Sequence, residues 1–500
     1  MAHSYDWRER LTGLAPEIAA LRRRVARGGG AQYRGWRRRI ERRRFAPSAL
    51  NLAHYLRFRQ TDLRPLQRRL MALGLSSLGR AEGRVLATLD AVGAALAALS
   101  PNSAAACPHL PSERQFFRGE QYLADNAVEI FGPPASGRSG RIMVTLGTDA
   151  ATDAGLVRDL VKRGVNLVRI NCAHDNADVW ARMIENARAA ASRTQLRILM
   201  DIAGPKVRIG AVHTAPNHDR LMIGDEILLG RAVDPGLTEF PLQCTCTMPA
   251  VLERLHVGDR VSFDDGALRG TIVRALPQGF VVHVEAGKLK GLKLKPEKGL
   301  LFPSVDLGLE PLNDKDRTDL DFVAVHADLV GYSFVETAQH VSLLQEELAR
   351  RRPDWTRVGL VAKIETPRAV KNLPEIIVQA AGRQPLAVMI ARGDLAIELG
   401  FERLAEMQEE ILWVCEAAHV PAIWATEVLA DLVKSGLPSR GEMTDAAMAG
   451  RAECVMLNKG PNVGDAVDAL DRLLKRMGEH QVKKTPTLRA LRSWPGADVP

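Results

Sequence analysis

The stretch Val-Gly-Leu-Val-Ala-Lys-Ile-Glu at residues 358–365 is typical of a buried strand that ends on two opposite charges. Lys363 and Glu365 are two positions apart, so on a strand their side chains point to the same side, roughly 6–7 Å apart along it. The next apolar run, at 386–393, leads directly to Asp394. Two carboxylates that can share a hard divalent cation, with an ammonium beside them, suit chemistry that develops negative charge on an oxygen. We therefore predict an enzyme.

This strand belongs to a regular alternation of short β-type runs and helical patterns. The eight β-type runs lie at 141–147, 166–171, 196–201, 328–334, 358–365, 386–393, 421–426 and 454–458. The helical patterns lie at 154–163, 179–192, 315–326, 341–351, 404–418 and 463–477. Eight β/α steps predict an α/β fold that closes into a (β/α)₈ barrel.

The alternation is interrupted once, between the third and fourth β-type runs. Residues 210–303 alternate apolar and polar positions like a small antiparallel β barrel, which predicts an inserted lid domain. The predicted organisation is an all-α, Arg-rich N-terminal extension at 1–125, a barrel at 126–209 and 304–480, a lid at 210–303 and a C-terminal tail at 481–500.

The N-terminal extension carries leucine-rich stripes with helical spacing. The first stripe steps by three and four residues, at Leu11, Leu14, Ile18, Leu21 and Val25. We expect the run Gly28-Gly29-Gly30 to end this helix, and two further stripes, at 63–73 and 85–99, to form more helices. The extension supplies none of the polar residues at the ends of the β-type runs, so we expect it to be separable from the chemistry.

Positive charge is concentrated in the extension. Residues 1–70 contain 18 Arg, no Lys and 5 acidic residues, whereas the whole chain has a net charge of only +9. Such clusters can bind nucleic acid or an acidic partner. However, no known nucleic-acid-binding module accompanies them, so we favour a solvated helix face or docking onto the acidic body, and we regard nucleic acid as an unlikely partner.

The sequence also bears on the compartment of the protein. No run of 18 apolar residues and no signal peptide is evident, so we expect a soluble, cytoplasmic protein that does not bind membranes. The six cysteines show no metal-ligand spacing and are expected to be reduced. Cys244 and Cys246 could form a redox or metal pair, but we favour two small residues on one face of a strand.

Polar residues stand at the C-terminal ends of seven of the eight predicted barrel strands. They are Arg169, Asn171, Asp201, Ser333, Lys363, Glu365, Asp394, Thr426 and Asn458. Charges inside a barrel are costly unless they are used, and barrel enzymes place their active sites at this end. We therefore predict the active site here.

Several blocks in this region resemble the pyruvate kinase family. They are Arg-Ile-Asn-Cys-Ala-His (169–174), Asp-Ile-Ala-Gly-Pro-Lys-Val-Arg (201–208), Phe-Asp-Asp-Gly (263–266), Lys-Gly (298–299), Ala-Lys-Ile-Glu (362–365), Ala-Arg-Gly-Asp-Leu (391–395) and Ala-Thr (425–426). The resemblance covers about residues 141–477. It implies phosphoryl transfer from phosphoenolpyruvate to ADP, followed by protonation of the enolate to pyruvate. It also implies Mg²⁺ or Mn²⁺ and, in most members, K⁺.

The resemblance assigns roles residue by residue. Lys363 resembles the lysine that stabilises the transferring phosphoryl group and the enolate oxygen. Arg169 resembles the phosphate-binding arginine, and Thr426 resembles the threonine on the route of proton delivery. Glu365 and Asp394 resemble the carboxylates that hold the divalent metal.

Further positions match substrate- and nucleotide-binding residues of the family. These are Asn171, His174, Arg208, Asp265, Lys298, Ser333, Arg392 and Gly393. Asp201 and Lys206 correspond to the region of the monovalent cation. Phosphoryl transfer needs cations and metal-holding carboxylates rather than a protein nucleophile, so these residue types agree with the implied reaction.

The chain departs from the family pattern around the monovalent cation. Ala173 and Ile202 replace a serine and a threonine, and Lys206 stands where members that require K⁺ carry glutamate. A tethered ammonium can supply the same charge, so we expect activity that does not require K⁺.

Other departures lie at the last strands and at the C-terminus. Asn458-Lys459-Gly460-Pro461 replaces Ser-Gly-Glu-Thr, and Glu427 stands where glutamine is usual. We also expect the family's C-terminal domain, which holds the allosteric effector site, to be absent.

Two alternative functions stay open at this point. One is another metal-dependent reaction of an enolpyruvate, such as C–C bond cleavage, although the lid residues Asp265 and Lys298 favour a nucleotide. The other is a barrel of low activity whose basic extension binds a partner or nucleic acid. A homo-oligomer is compatible with either.

Overall fold

The computed structural model describes residues 11, 13–99, 109–191, 196–216 and 218–487. Eight parallel strands close into a barrel in the order β1, β2, β3, β11, β12, β13, β14, β15 and back to β1. They are β1 (Arg141–Thr145), β2 (Leu167–Asn171), β3 (Arg197–Ile202), β11 (Leu329–Tyr332), β12 (Gly359–Ile364), β13 (Leu386–Ala391), β14 (Ala422–Ala425) and β15 (Cys454–Leu457). All eight predicted strands and the predicted barrel are confirmed.

The helices that follow the barrel strands cover the barrel from outside, and the helices of the extension precede them in the chain. In chain order the helices are α1 (Leu14–Trp36), α2 (Ala46–Phe58), α3 (Arg64–Met71), α4 (Val85–Leu99), α5 (Glu113–Phe116), α6 (Arg118–Phe131), α7 (Ala154–Lys162), α8 (Ala177–Ala190), α9 (Asp314–His326), α10 (Ala338–Arg351), α11 (Pro367–Ala381), α12 (Arg392–Leu399), α13 (Phe401–Ala417), α14 (Ala430–Ser435), α15 (Arg440–Ala449) and α16 (Val463–Gly478). Every residue of β12 and β13 is buried. Burial on both faces explains why these strands are continuous apolar runs rather than alternating ones.

Helix α6 closes the N-terminal end of the barrel. Its residues Ala127, Ile130 and Phe131 belong to one buried cluster with inward-facing strand residues such as Leu199 and Val361. The predicted boundary between extension and barrel, at 125/126, falls inside this helix. Within the described residues, the plug closes this end to a substrate, which would have to enter from the opposite end.

The inserted segment forms a seven-stranded sheet. Its strands are β4 (Ile209–Thr214), β5 (Glu226–Gly230), β6 (Leu242–Cys246), β7 (Arg260–Phe263), β8 (Leu268–Leu276), β9 (Gly279–Gly287) and β10 (Leu300–Leu301), in the order β10-β7-β8-β9-β5-β6-β4. Their pairings are antiparallel except between β5 and β6. An antiparallel bridge between Arg208 and Gly299 joins the two edges of the sheet, next to β4 and β10. This joining of the edges gives the predicted small barrel.

The extension is packed onto the N-terminal side of the barrel. Trp36 Nε1 donates to Glu375 Oε1 at 2.7 Å, and the amide of Arg42 donates to the carbonyl of Gly382 at 2.7 Å. Asn51 Nδ2 donates to the carbonyl of Ala417 at 2.8 Å. The buried residues of the extension and of the outer barrel form one continuous core. Removing the extension would therefore expose buried barrel helices, so the extension belongs to the folding unit. Its separability from the chemistry stays a prediction.

Part of the arginine-rich segment docks onto acidic residues of the body. Docking onto the body was one of the two favoured hypotheses, the other being a solvated helix face. Arg39 pairs with Glu375, and both Arg42 and Arg44 pair with Glu129 on α6. Other arginines of the segment remain exposed to solvent.

Five described cysteines, Cys172, Cys244, Cys246, Cys415 and Cys454, are buried and unpaired. Cys244 and Cys246 lie in the apolar core of the lid, which confirms them as strand residues. Among the described residues, no helix combines the length and apolarity that crossing a membrane requires.

The expected helix end at Gly28-Gly29-Gly30 is wrong, because α1 continues through the three glycines to Trp36. A Cβ on Gly29 would lie 2.5 Å from the His54 ring and 2.9 Å from the amide nitrogen of His54. Gly29 therefore lets α1 and α2 approach each other closely. The low helix propensity of glycine is outweighed by this packing.

Adjacent glycines of α1 provide a matched test of this packing. A Cβ on Gly30 meets only the end of the Arg34 side chain, at 3.9 Å. Gly30→Ala should therefore raise the free energy of unfolding by up to about 1 kcal/mol through helix propensity. Gly29→Ala should lower it by about 1–3 kcal/mol, because the helices must move apart. Thermal melts of both variants check this, and equal shifts in the same direction would contradict it.

Candidate active site

Asp201, at the end of β3, is the centre of the charged residues in the barrel mouth. Its side chain is 1% exposed, and its Oδ2 accepts from Arg169 Nε at 2.8 Å and lies 3.3 Å from Lys363 Nζ. Burial opposes ionisation of this carboxyl, but the charges of Lys363 and Arg169 overcome it and lower the pKa of Asp201. Gly331 on the neighbouring strand makes room, since a Cβ there would lie 2.5 Å from Asp201 Oδ1.

Lys363 is held at three points at the end of β12. Its Nζ donates to Ser333 Oγ at 2.8 Å and lies 3.1 Å from Glu365 Oε1, besides its contact with Asp201. Ser333 Oγ in turn donates to the carbonyl of Ile202 at 2.7 Å, so its lone pairs face the lysine. Burial works against the charge, but the two carboxylates raise the pKa of Lys363. The side chain is a fixed ammonium rather than a base.

Glu365 and Asp394 form the pair of carboxylates beside this ammonium. Burial raises the pKa of Glu365, and so does the charge of Asp394, whereas Lys363 lowers it. Glu365 Oε2 accepts from the amide of Phe334, which fixes its orientation. Two neighbouring carboxylates that repel each other favour a cation between them.

The oxygen donors of this pair suit a divalent metal that takes its other ligands from outside the protein. The described residues contain no cluster of three or more His, Cys, Asp or Glu side chains that could hold one alone. Mg²⁺ keeps several waters and commonly takes one or two carboxylates together with substrate phosphates. The hard oxygens of Glu365 and Asp394 therefore fit Mg²⁺ or Mn²⁺ shared with a phosphorylated substrate.

Lys206 connects the barrel to the lid. Its Nζ lies 2.9 Å from Asp394 Oδ1 and 2.9 Å from Asp265 Oδ1. Burial lowers the pKa of Lys206, but the two carboxylates outweigh this and raise it. Lys298 pairs with Asp264 at 3.0 Å rather than with Asp265. The ammonium of Lys206 thus holds the lid residue Asp265 close to Asp394, a predicted metal ligand.

The start of α12, directly after β13, fits closely against the loop after β14. Arg392 donates to the carbonyls of Ala425 (2.9 Å) and Thr426 (2.6 Å) and pairs with Asp445. Thr426 Oγ1 accepts from the amide of Gly393 at 2.8 Å, one residue before Asp394 in the chain. Thr426 has φ 65°, a conformation that is strained for a β-branched residue. These contacts hold Thr426 beside the carboxylate pair.

The predicted nucleotide-side residues lie after β2 and at the base of the lid. Asn171 Oδ1 accepts from the amide of Ala173 at 3.2 Å, which shapes the turn. Burial, Lys459 and Arg208 all lower the pKa of His174. Arg208 Nη1 donates to the carbonyl of Glu297 in the lid at 2.8 Å. Arg208 is therefore anchored to the lid, whereas Asn171 shapes the strand end.

Polar contacts join most of the predicted site residues into two groups. The first group contains Arg169, Asp201, Ser333, Lys363 and Glu365, and the second contains Asp394, Lys206 and Asp265. A further set of contacts next to Asp394 in the sequence joins Thr426 to Arg392 and Gly393. Lys298 pairs with Asp264 within the lid.

Three residues of the site were not predicted. Thr145 Oγ1, at the end of β1, accepts from Arg169 Nη1 at 3.3 Å, and its place at a strand end could have revealed it. Asp445 on α15 fixes Arg392, and Gly331 makes room for Asp201. Neither of these two carries a signal in the sequence, because their roles depend on contacts with distant residues.

The comparison with protein families agrees with this geometry. The family model for the pyruvate kinase barrel domain matches residues 137–465, about two thirds of the chain.

The chain belongs to the pyruvate kinase family.

Individual pyruvate kinases support the same assignment. A pyruvate kinase of Agrobacterium vitis is 31% identical over 368 residues, which cover 71% of this chain and 72% of the relative. Human pyruvate kinase PKLR is 29% identical over 366 residues, covering 69% of this chain but only 61% of its own length. A crystal structure of a pyruvate kinase from Cryptosporidium parvum shares the fold with TM-score 0.59 at 24% identity, covering 70% and 72% of the two chains.

The position of Lys363 generates a direct test. Lys363→Met should lower kcat by about 10²–10³, the usual cost of losing a preorganised donor to a developing oxyanion. It should also lower the melting temperature, because Asp201 and Glu365 lose a neutralising charge. A control is Lys483→Met, which removes a mostly buried lysine paired with Glu453 outside this site. The control should lose stability but keep kcat. Retention of more than about half of the wild-type turnover by Lys363→Met would contradict this role.

Proposed function

We propose that this chain transfers the phosphoryl group of phosphoenolpyruvate to ADP and yields pyruvate and ATP. Its membership of the pyruvate kinase family supports this activity. The observation that carries it is the buried ammonium of Lys363, held between Asp201, Glu365 and Ser333 at the mouth of the barrel. A fixed cation at this place suits a reaction in which negative charge develops on the enol oxygen.

The reaction balances without a protein nucleophile. The bond between phosphorus and the enol oxygen breaks with its electron pair left on that oxygen, and a terminal oxygen of ADP forms the new bond to phosphorus. The resulting enolate then takes a proton at carbon to give pyruvate. Lys363 would stabilise the enolate oxygen, and Arg169 would hold the phosphoryl oxygens. Thr426, held beside the carboxylate pair, would stand on the route of the proton.

Glu365 and Asp394 would hold a divalent cation, Mg²⁺ or Mn²⁺. When bound, such a cation neutralises phosphate charge and orients the substrate. Lys206 Nζ lies 2.9 Å from Asp394 Oδ1, so one edge of the pair already faces a positive charge. The other donors of the cation would then be water and substrate oxygens.

We also propose that activity does not depend on K⁺. Lys206 is a mostly buried ammonium between Asp394 and Asp265, and Ala173 and Ile202 offer no side-chain oxygen to a monovalent cation. The tethered charge would therefore do the work that K⁺ does elsewhere in the family.

A nucleotide as second substrate is supported by the lid. Asp265 reaches the barrel through Lys206, and Arg208 is bonded to the lid at Glu297. These contacts bring charged lid residues over the barrel mouth, where phosphates of ADP would lie. Among the contacts of the described residues, none specifically favours C–C bond cleavage. A cytoplasmic location agrees with the five buried, unpaired cysteines.

The test is a lactate dehydrogenase-coupled assay with phosphoenolpyruvate and Mg²⁺, with and without ADP. We expect pyruvate to form only with ADP, in equal amount to ATP. Formation of pyruvate without ADP would indicate another enolpyruvate reaction. A well-folded chain that forms no pyruvate under either condition would contradict the proposal.

The dependence on K⁺ is measured with the same assay. Initial rates in K⁺-free buffer and in about 100 mM KCl should agree within about twofold, provided that ionic strength is held constant, because salt alone screens phosphate binding. Lys206→Glu should lower the rate, since it removes the ammonium that lies between Asp394 and Asp265 and puts a third carboxylate beside these two. Activation of the wild type by K⁺ of tenfold or more would contradict this proposal.

A further inference from the structure

The solvent side of α1 carries a row of arginines. At 3.6 residues per turn, Arg23, Arg27 and Arg34 fall within about 40° of one another, directly opposite the buried apolar stripe. Arg38, in the turn that follows α1, continues the row. All four side chains belong to exposed residues. The row is about 22 Å long, taking 1.5 Å per residue from position 23 to 38.

No acidic side chain among the described residues neutralises these four arginines. Within the described part of the molecule, none of the four makes an ion pair. The nearby acidic residues are engaged elsewhere: Glu17 with Arg69, Asp90 with Arg22, Glu41 with Arg383 and Asp62 with Arg64. The row therefore differs from Arg39 and Arg42, which pair with acids of the body. Four like charges left side by side point to an anionic partner.

The chemistry of the row favours phosphodiesters over a lipid surface. A guanidinium group binds phosphate oxygens through two parallel hydrogen bonds. An amphipathic helix that enters a membrane needs a free apolar face. The apolar face of α1, from Leu14 to Val25, is buried in the core, and no large hydrophobic residue of this helix is exposed.

We propose that this arginine row is a docking surface for the phosphodiester backbone of a nucleic acid. The only aromatic side chains of α1 are Tyr33, which is half-buried, and Trp36, which is buried. Bases therefore have no exposed ring on this helix to stack on, and binding would be independent of sequence. The sequence alone made nucleic acid an unlikely partner. The structure adds that these arginines are aligned and unpaired.

The row lies away from the catalytic centre. The extension contacts the barrel at Gly382 and Ala417, which precede the starts of β13 and β14. The ion pairs around Lys363 lie at the opposite, C-terminal ends of the strands. A bound nucleic acid would thus leave the barrel mouth free, so this proposal stands or falls separately from the proposed catalytic activity.

Fluorescence anisotropy with the full chain tests the surface. The probes are a labelled 20-base-pair DNA duplex and a single-stranded RNA of 20 nucleotides, titrated at several salt concentrations between 50 and 200 mM. For four neutralised phosphates on duplex DNA, the logarithm of the binding constant should fall with the logarithm of salt concentration with a slope of about −3.6. Binding of either probe supports the proposal, and the tighter one names the class of partner.

The variant R23Q/R27Q/R34Q/R38Q should bind at least tenfold more weakly at 50 mM salt and lose most of the salt slope. Its turnover of phosphoenolpyruvate and ADP should match that of the wild type. The matched control, R158Q/R182Q/R472Q/R476Q, removes four exposed arginines of barrel helices and causes the same change in net charge. The control should lose less than threefold in binding.

Three results would overturn the proposal. Equal losses in the two variants would mean that only net charge matters. Tighter binding to phosphatidylserine vesicles than to either nucleic acid would assign the row to a membrane surface. A failure of both nucleic acids to bind at 50 mM salt would show that the row is not a docking surface for nucleic acid.

Discussion

The neutralisation of buried charge at the mouth of the barrel is the constraint on which the rest of the site depends. Asp201 is 1% exposed, and it is tolerated only because Arg169 and Lys363 contact the same carboxylate oxygen. Lys363 in turn needs Glu365 and Ser333, which fix its ammonium in place. Each charge is therefore the partner that makes another buried charge tolerable. A substitution at one position disturbs the whole cluster, so we expect losses of activity and of stability to be coupled there.

The scaffold supports this cluster from two sides. Within the described residues, helix α6 plugs the N-terminal end of the barrel with Ile130 and Phe131, so the charged end is left as the opening. The lid lies over that opening, and Lys206 connects its Asp265 to Asp394. The extension shares the outer core of the barrel, so it belongs to the folding unit even though it supplies none of the contacts of the cluster described here.

Much of the fold and of the candidate site could be predicted from the sequence, because buried parallel strands are continuous apolar runs and charges at their ends are costly unless used. Lys363, Glu365 and Asp394 could be predicted as candidate site residues for this reason. The helix end expected at Gly28-Gly29-Gly30 was wrong, because local propensity cannot reveal that Gly29 packs against His54. The roles of Gly331 and Asp445 likewise depend on contacts between residues far apart in the chain.

The central claim is that the carboxylate pair beside Lys363 receives the divalent cation together with the substrate. Electron paramagnetic resonance of Mn²⁺, titrated into the full chain with phosphoenolpyruvate, measures this directly. The account predicts one Mn²⁺ per chain in the wild type and in the control variant Asp321→Asn. Asp321 is an exposed carboxylate on α9 that pairs with Arg351. The account predicts at least tenfold weaker binding in Glu365→Gln and in Asp394→Asn. Unchanged Mn²⁺ binding in both of these variants would contradict the account.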